Sequence, residues 1–189
     1  MNRRELIIGA AGLGVGTLAT RIFWRGSARA QAIPMGDFDD RLAELGIALP
    51  DAPAPVATYA PWKRAGSLLF VAGQGPALVP GVKGQGVLGG DLSIDEGYAA
   101  ARSAGLNVLA QVRAASGGML NAVVQCLQMT GYVNCVDGFK DQPKVVNGAS
   151  DLFVEVFGDV GKAARAAVGV NTLPFNVAVE IETVWELAA

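Results

Sequence analysis

The sequence predicts an α+β sandwich, a mixed β-sheet with two helices packed on one of its faces. Three observations carry that prediction. The closing segment alternates, with Val177, Val179, Ile181, Thr183 and Trp185 on one side and Ala178, Glu180, Glu182, Val184 and Glu186 on the other, the period of a half-buried strand. Two other stretches recur at helical spacing: Ala101, Ala104, Gly105, Val108, Leu109 and Val112 in the first, and Ala149, Leu152, Phe153, Val156 and Val160 in the second. The whole order reads strand, strand, helix, strand, helix, strand, strand, without an internal repeat.

Taken from the start, residues 1–32 read as a targeting signal. Arg3 and Arg4 lead an uncharged run from Leu6 to Thr20 containing Gly9, Gly12, Gly14 and Gly16, then come Arg21, Arg25, Arg29 and small-residue triplets ending at Ala30 and Ala32. That run is short of the roughly 20 apolar residues that span hydrocarbon, and the paired arginines resemble a twin-arginine signal. The expectation is export to the periplasm, cleavage near Ala30 or Ala32, and no stable membrane anchor afterwards. Residues 33–56 follow as an N-terminal helix and a Pro-rich lead-in. Asp37 is placed to cap a helix over 39–45 with Gly46 ending it, and Pro50, Pro53 and Pro55 keep the next segment extended.

Residues 57–189 form the main domain. Leu68-Leu69-Phe70-Val71 is a short strand closed by Gly73-Gln74-Gly75-Pro76. The glycine-rich stretch 80–90 reads as a surface hairpin, because Gly84 to Gly89 matches GxGxxG without a strand before it and a helix immediately after. Ser93 and Glu96 form a capping box for the long helix, which Gly117-Gly118 ends. Val123 to Val133, rich in β-branched and apolar residues, is a strand. The second helix lies between Pro143 and Val160 and stops at Gly161.

Composition narrows the function. Removal of residues 1–32 takes five arginines and one glutamate from 15 basic and 17 acidic residues, leaving a formal net charge of −6. Nucleic-acid binding is not expected of such a chain, since Lys and Arg must replace the counterions around phosphate. The absence of histidine removes Ser-His-Asp and Cys-His catalysis and most zinc sites. No metal or cofactor motif is seen. Cys126 and Cys135 stand about 30 Å apart if their strand is extended and are expected to be unpaired.

Arg165 is the polar residue hardest to accommodate. Its neighbours Ala163, Ala164, Ala166, Ala167, Val168, Gly169 and Val170 are apolar or glycine, so the guanidinium needs a partner. Either it pairs internally with Glu180 or Glu182 on the next strand, or it grips a small carboxylate through its bidentate fork.

Tyr59, Ala72-Gly73-Gln74, Asn147-Gly148-Ala149-Ser150, Arg165 to Val170, Leu173-Pro174 and Val179-Glu180-Ile181-Glu182 together resemble the RidA (YjgF) family, in order and in spacing. Asp91-Leu92-Ser93, Phe139 to Val145 and Val156-Phe157-Gly158 resemble its longer branch, which carries an endoribonuclease label; the resemblance runs from about Leu42 to Leu187. It implies the chorismate-mutase-like fold, a homotrimer whose sheets form a central barrel, and ligand clefts between subunits. It also implies hydrolysis of 2-imino acids such as 2-iminobutanoate and 2-iminopropanoate, or their enamine tautomers, to 2-oxo acids and ammonia, without a cofactor. Carried over by position, Arg165 would bind the substrate carboxylate, Glu180 would orient water, and Tyr59 would close the cleft from the neighbouring subunit. The Gly73 carbonyl would accept a hydrogen bond from the imine nitrogen, while Asn147 and the Ala167 backbone would complete the cleft. The chain departs from its relatives at Ala163, where the longer branch commonly has histidine, at Ala167, where the best-known members have cysteine, and in a longer connection over 140–146. Two other functions fit the same frame: a non-catalytic trimer that binds small carboxylates or acts as a chaperone, and an endoribonuclease, against which charge and the lack of histidine argue.

Overall fold

The closing alternation becomes a strand, β5 (Val179–Leu187), in which buried and half-buried residues alternate throughout. Val179, Ile181 and Trp185 are fully buried on one face, and Glu180, Glu182 and Glu186 stand on the other. The computed structural model describes residues 37–77 and 79–188, so the export signal expected at 1–32 lies outside the described residues. The other elements are α1 (Phe38–Glu44), β1 (Trp62–Ala65), β2 (Leu68–Gln74), α2 (Ile94–Ala115), β3 (Val123–Asn134), α3 (Gln142–Phe157) and β4 (Ala164–Val170). The sheet order is β1-β2-β5-β3-β4. Only β3 and β4 run parallel, so the sheet is mixed, as predicted.

Local chemistry explains the helix starts. The Asp37 carboxylate accepts from the Asp40 amide at 3.2 Å and caps α1, while both halves of the Ser93/Glu96 capping box are formed at α2. Three boundaries differ from the sequence reading. The second helix ends at Phe157, because Gly158 takes φ 64° and a 3-10 turn over Gly158–Gly161 follows. Most of the longer connection at 140–146 is the opening of α3, with Pro143 in the first turn, where its missing N–H leaves no intrahelical bond unmade. The final alternation begins at Val179: Ala178 is buried and Val177 is not, because the Ala178 amide donates to the Gly84 carbonyl at 2.9 Å.

That bond belongs to a larger correction. Residues 80–90 are not a free surface hairpin. Leu88 is fully buried, its amide donates to the Asn134 carbonyl at 2.8 Å, and its carbonyl accepts from Val136 at 3.1 Å, so the loop is stitched to the end of β3 by the backbone of its buried leucine.

The two long helices cross at small residues. A Cβ on Gly148 would fall on the Tyr98 carbonyl oxygen, and one on Gly105 would press on Leu152 at 3.0 Å and Ala149 at 3.4 Å. Beside the crossing, Arg102 pairs with Glu155 at 2.6 Å and the Tyr98 hydroxyl donates to Asp151 at 2.9 Å. Beneath it, Trp185 meets Phe153 edge-on at 5.1 Å and Phe157 at 5.3 Å, and Phe38 of α1 closes on Phe157 at 4.8 Å. Trp62 also packs against this core, so both tryptophans among the described residues serve packing. Both cysteines are free, and burial pushes the Cys126 thiol up to about 12. No described helix is long and apolar enough to cross a membrane.

The crossing is the point at which the fold tolerates least. Gly148→Ala must push α3 away from α2 backbone, and a loss of about 3 kcal/mol is expected. Denaturant unfolding measures it; a loss below about 0.5 kcal/mol, the range of neutral surface changes, would mean that the two helices separate freely.

Candidate functional site

Between Val71 and Gln74 the ladder from β2 to β5 slips: Val71 faces Thr183 and Gln74 faces Ile181, leaving Ala72 and Gly73 opposite Glu182 alone. This is a β-bulge, which bends the strand and re-aims what it carries. Its effect here is to bring the Gly73 backbone under Glu180. A Cβ at Gly73 would overlap the Glu180 carboxylate, so glycine is required at this position by close approach. The Gly73 carbonyl accepts from the Gln74 side chain at 3.1 Å, which leaves a lone pair for a ligand.

Glu180, half-buried, opens into a cavity of about 650 Å³ that also takes in Tyr59, Gly73, Val56 and Phe175. Burial, and secondarily the Glu182 charge, push its carboxyl above the ordinary glutamate range. Glu182 itself accepts from the Tyr132 hydroxyl at 3.0 Å, a bond that holds the phenol proton and raises the Tyr132 pKa.

The cavity is braced from α2. Ser103, Asn107 and Gln111, one helical turn apart and all buried, donate to the carbonyls of Ala77 at 3.0 Å, Gly75 at 3.0 Å and Pro53 at 2.6 Å. Three polar side chains thereby fix the loop after β2 and the Pro-rich lead-in, each satisfying a group whose burial unpaired costs about 1–3 kcal/mol. The sequence reading missed them, although their i, i+4, i+8 spacing beside an apolar helix face was the available signal.

Phe175 was also missed. It and Asn176 adopt φ 55° and 56°, left-handed backbone that costs on the order of 1–3 kcal/mol per non-glycine residue. The strain is held by surrounding bonds: Gln85 donates to the Phe175 carbonyl at 2.8 Å, the Gly86 amide to the Asn176 carbonyl at 2.9 Å, and the buried Asn134 amide group to the Asn176 side chain at 3.1 Å. No pattern in the sequence announced the turn.

Arg165 sits elsewhere. The internal pair with Glu180 or Glu182 is not formed, because the pleat sets Arg165 with Met129 and Thr183 on the helix face and both glutamates on the opposite one. Nor is it buried; β4 is an edge strand and Arg165 is exposed. Its Nη1 donates to Asn147 Oδ1 at 2.7 Å and to Ser150 Oγ at 2.8 Å. Nε and Nη2, the edge that fits a carboxylate, have no partner among the described residues. Asn147 is well inside α3 and does not cap it, and Ala167 lies two residues along the same face of β4, packed against the core. The chain therefore assembles the predicted residues into two groups, Arg165 with Asn147 and Ala167, and Glu180 with Gly73 and Tyr59. Among the described residues no cluster of three or more His, Cys, Asp or Glu side chains has metal-binding geometry.

Residues 39–187 match the family model described as YjgF/chorismate mutase-like, putative endoribonuclease. Protein TCP17 of Trypanosoma cruzi is 44% identical over 147 residues, covering 77% of this chain and 91% of that protein. Among solved structures, a putative endoribonuclease from Shewanella oneidensis is 35% identical with a TM-score of 0.75, covering 80% of this chain and all of that one. RidA from an Antarctic Psychrobacter is 26% identical with a TM-score of 0.50, covering 72% and 94%.

The raised pKa of Glu180 has a defined sign. Its folded form holds the proton more tightly than the unfolded chain, so ionising it costs stability as pH climbs from the unfolded to the folded pKa. Glu180→Gln is expected to gain stability over the wild type through that interval and to keep the gain above it. Glu182→Gln still accepts from Tyr132 but removes the charge, so Glu180 should titrate lower, as followed by NMR of the side-chain carboxyl carbons; an unmoved midpoint would exclude Glu182 as a cause.

Proposed function

Since the chain belongs to the YjgF/RidA family, we propose that it is an enamine/imine deaminase that hydrolyses 2-imino acids to 2-oxo acids and ammonia. The observation that carries this reading is Arg165. It is an exposed guanidinium held through one nitrogen by two neutral oxygens, with its carboxylate-binding edge presented outward from an edge strand. Its guanidinium is oriented by neutral groups, and no acid among the described residues neutralises it.

The reading includes a homotrimer, because the Arg165 and Glu180 groups need a second copy to meet. The open face of the sheet supports association: Phe70 and Val168 are 45% and 43% exposed there in the single chain. In the joined site, Arg165 holds the substrate carboxylate, with Asn147 fixing the guanidinium. The Gly73 carbonyl accepts a hydrogen bond from the protonated imine nitrogen. Glu180 takes a proton from water as the water oxygen bonds to the imine carbon. The same carboxyl returns that proton to nitrogen; as the C–N bond then breaks and ammonia leaves, the ionised carboxylate takes up the carbinol hydroxyl proton, and the 2-oxo acid remains. A carboxyl held above the ordinary glutamate range is a stronger base when ionised, which favours the first transfer. Ala167 backbone and Tyr59 shape the cleft around the substrate. The export signal expected at residues 1–32 belongs to the same proposal and puts the reaction in the periplasm.

Iminopropanoate generated by an amino-acid oxidase, with 2-oxo acid release followed over time, tests the reading. The protein should speed release, Arg165→Ala should lower kcat/KM about 100-fold through loss of a charge-assisted bidentate contact, and Glu180→Gln should lower kcat about 100-fold or more. Both variants should keep the wild-type oligomeric state. Stabilisation by 2-oxo acids without turnover would favour a binding protein instead.

A further inference from the structure

Phe175 is exposed at 72% in the single chain, on backbone that strain alone would abolish, and its ring lines the cavity that holds Glu180. Strained residues persist where surrounding structure over-determines them, and here three side-chain and backbone donors do so. Across the cavity Val56 is exposed at 73%, on the lead-in that Gln111 anchors through Pro53. Both walls are thus apolar side chains held in place from behind.

The carboxamide nitrogens that line the cavity already donate to backbone. Asn107 donates to the Gly75 carbonyl, and Gln74 donates to the Ala72 and Gly73 carbonyls at 3.0 and 3.1 Å. Glu180 is the only charged residue among the described residues of the lining. A substrate side chain extending away from Glu180 would therefore meet mainly hydrocarbon and a tyrosine, with no cation among the described lining residues for a second carboxylate. The space, about 650 Å³ before a second copy joins, is also far more than a methyl group needs.

We propose that the site selects 2-imino acids with large apolar side chains, aromatic or branched aliphatic, and that Phe175 is the residue that determines this specificity. The inference rests on the deaminase reading for its chemistry, but the shape of the cavity stands apart from it. The wild-type protein should hydrolyse 2-imino-3-phenylpropanoate and 2-imino-4-methylpentanoate with kcat/KM at least about 10-fold above 2-iminopropanoate. Phe175→Ala should reduce the two large substrates about 10- to 100-fold, the range for losing apolar contacts in a pocket, and leave 2-iminopropanoate within about twofold. Phe175→Gly, which accepts left-handed backbone without strain, repeats the test should the alanine variant fold poorly. A wild-type preference for 2-iminopropanoate, or an equal loss on every substrate, would overturn the proposal. If no imino acid is hydrolysed at all, the deaminase reading fails, and the cavity is then judged by binding of the 2-oxo acids. Tighter binding of 3-phenyl-2-oxopropanoate than of 2-oxopropanoate, lost in the Phe175 variants, would uphold the side-chain inference, and equal binding would sink it.

Discussion

The pleat of β5 is the constraint from which the remaining geometry follows. Its inner row, Val179, Ile181, Thr183, Trp185 and Leu187, is buried against the helices, and a slip of one residue would exchange that row for three glutamates. Burying three unpaired carboxylates is prohibitive, so the register is fixed. With it are fixed the face on which Glu180 emerges and the face on which Arg165, two strands away, does not. The bulge in β2 then works on this settled frame, lifting Gly73 to the Glu180 carboxylate without disturbing the ladder on either side.

Polar residues inside the fold act as tethers between layers. The Ser103, Asn107 and Gln111 row leaves the helix to hold segments that have few regular backbone partners of their own. Asn134, at the end of β3, holds Gly86 and Asn176 through one amide group, at 3.2 and 3.1 Å. The glycine-rich loop and the strained turn before β5 are thereby joined at a single buried side chain. Order in the cavity walls comes from these few directional bonds, whereas order in the sheet comes from apolar burial.

The two charged residues of the site are prepared in opposite ways. Arg165 is exposed, and its orientation comes from neutral oxygens that do not compete for its charge. Glu180 is withdrawn from water beside a like charge, which makes it a stronger base when ionised and a ready acid when not. Separating them by a sheet prevents the internal ion pair that would neutralise both.

The sequence by itself determined the layers and their contents. The period of β5, the capping box of α2 and the order of elements depend on local chemistry and on one-dimensional pattern, and they survived folding nearly unaltered. The resemblance carried by short motifs also named Arg165, Glu180, Gly73, Asn147, Tyr59 and Ala167 together. Which of these meet was decided by tertiary structure, because β3 lies between the strands that carry Arg165 and Glu180, and register sets the two on opposite faces of the sheet. The bulge at Ala72 and Gly73, the burial of Leu88 in what reads as a surface loop, and the left-handed turn that displays Phe175 had no signature in the chain. Each is set by partners between about 40 and 110 residues away, with bond distances that no local pattern encodes.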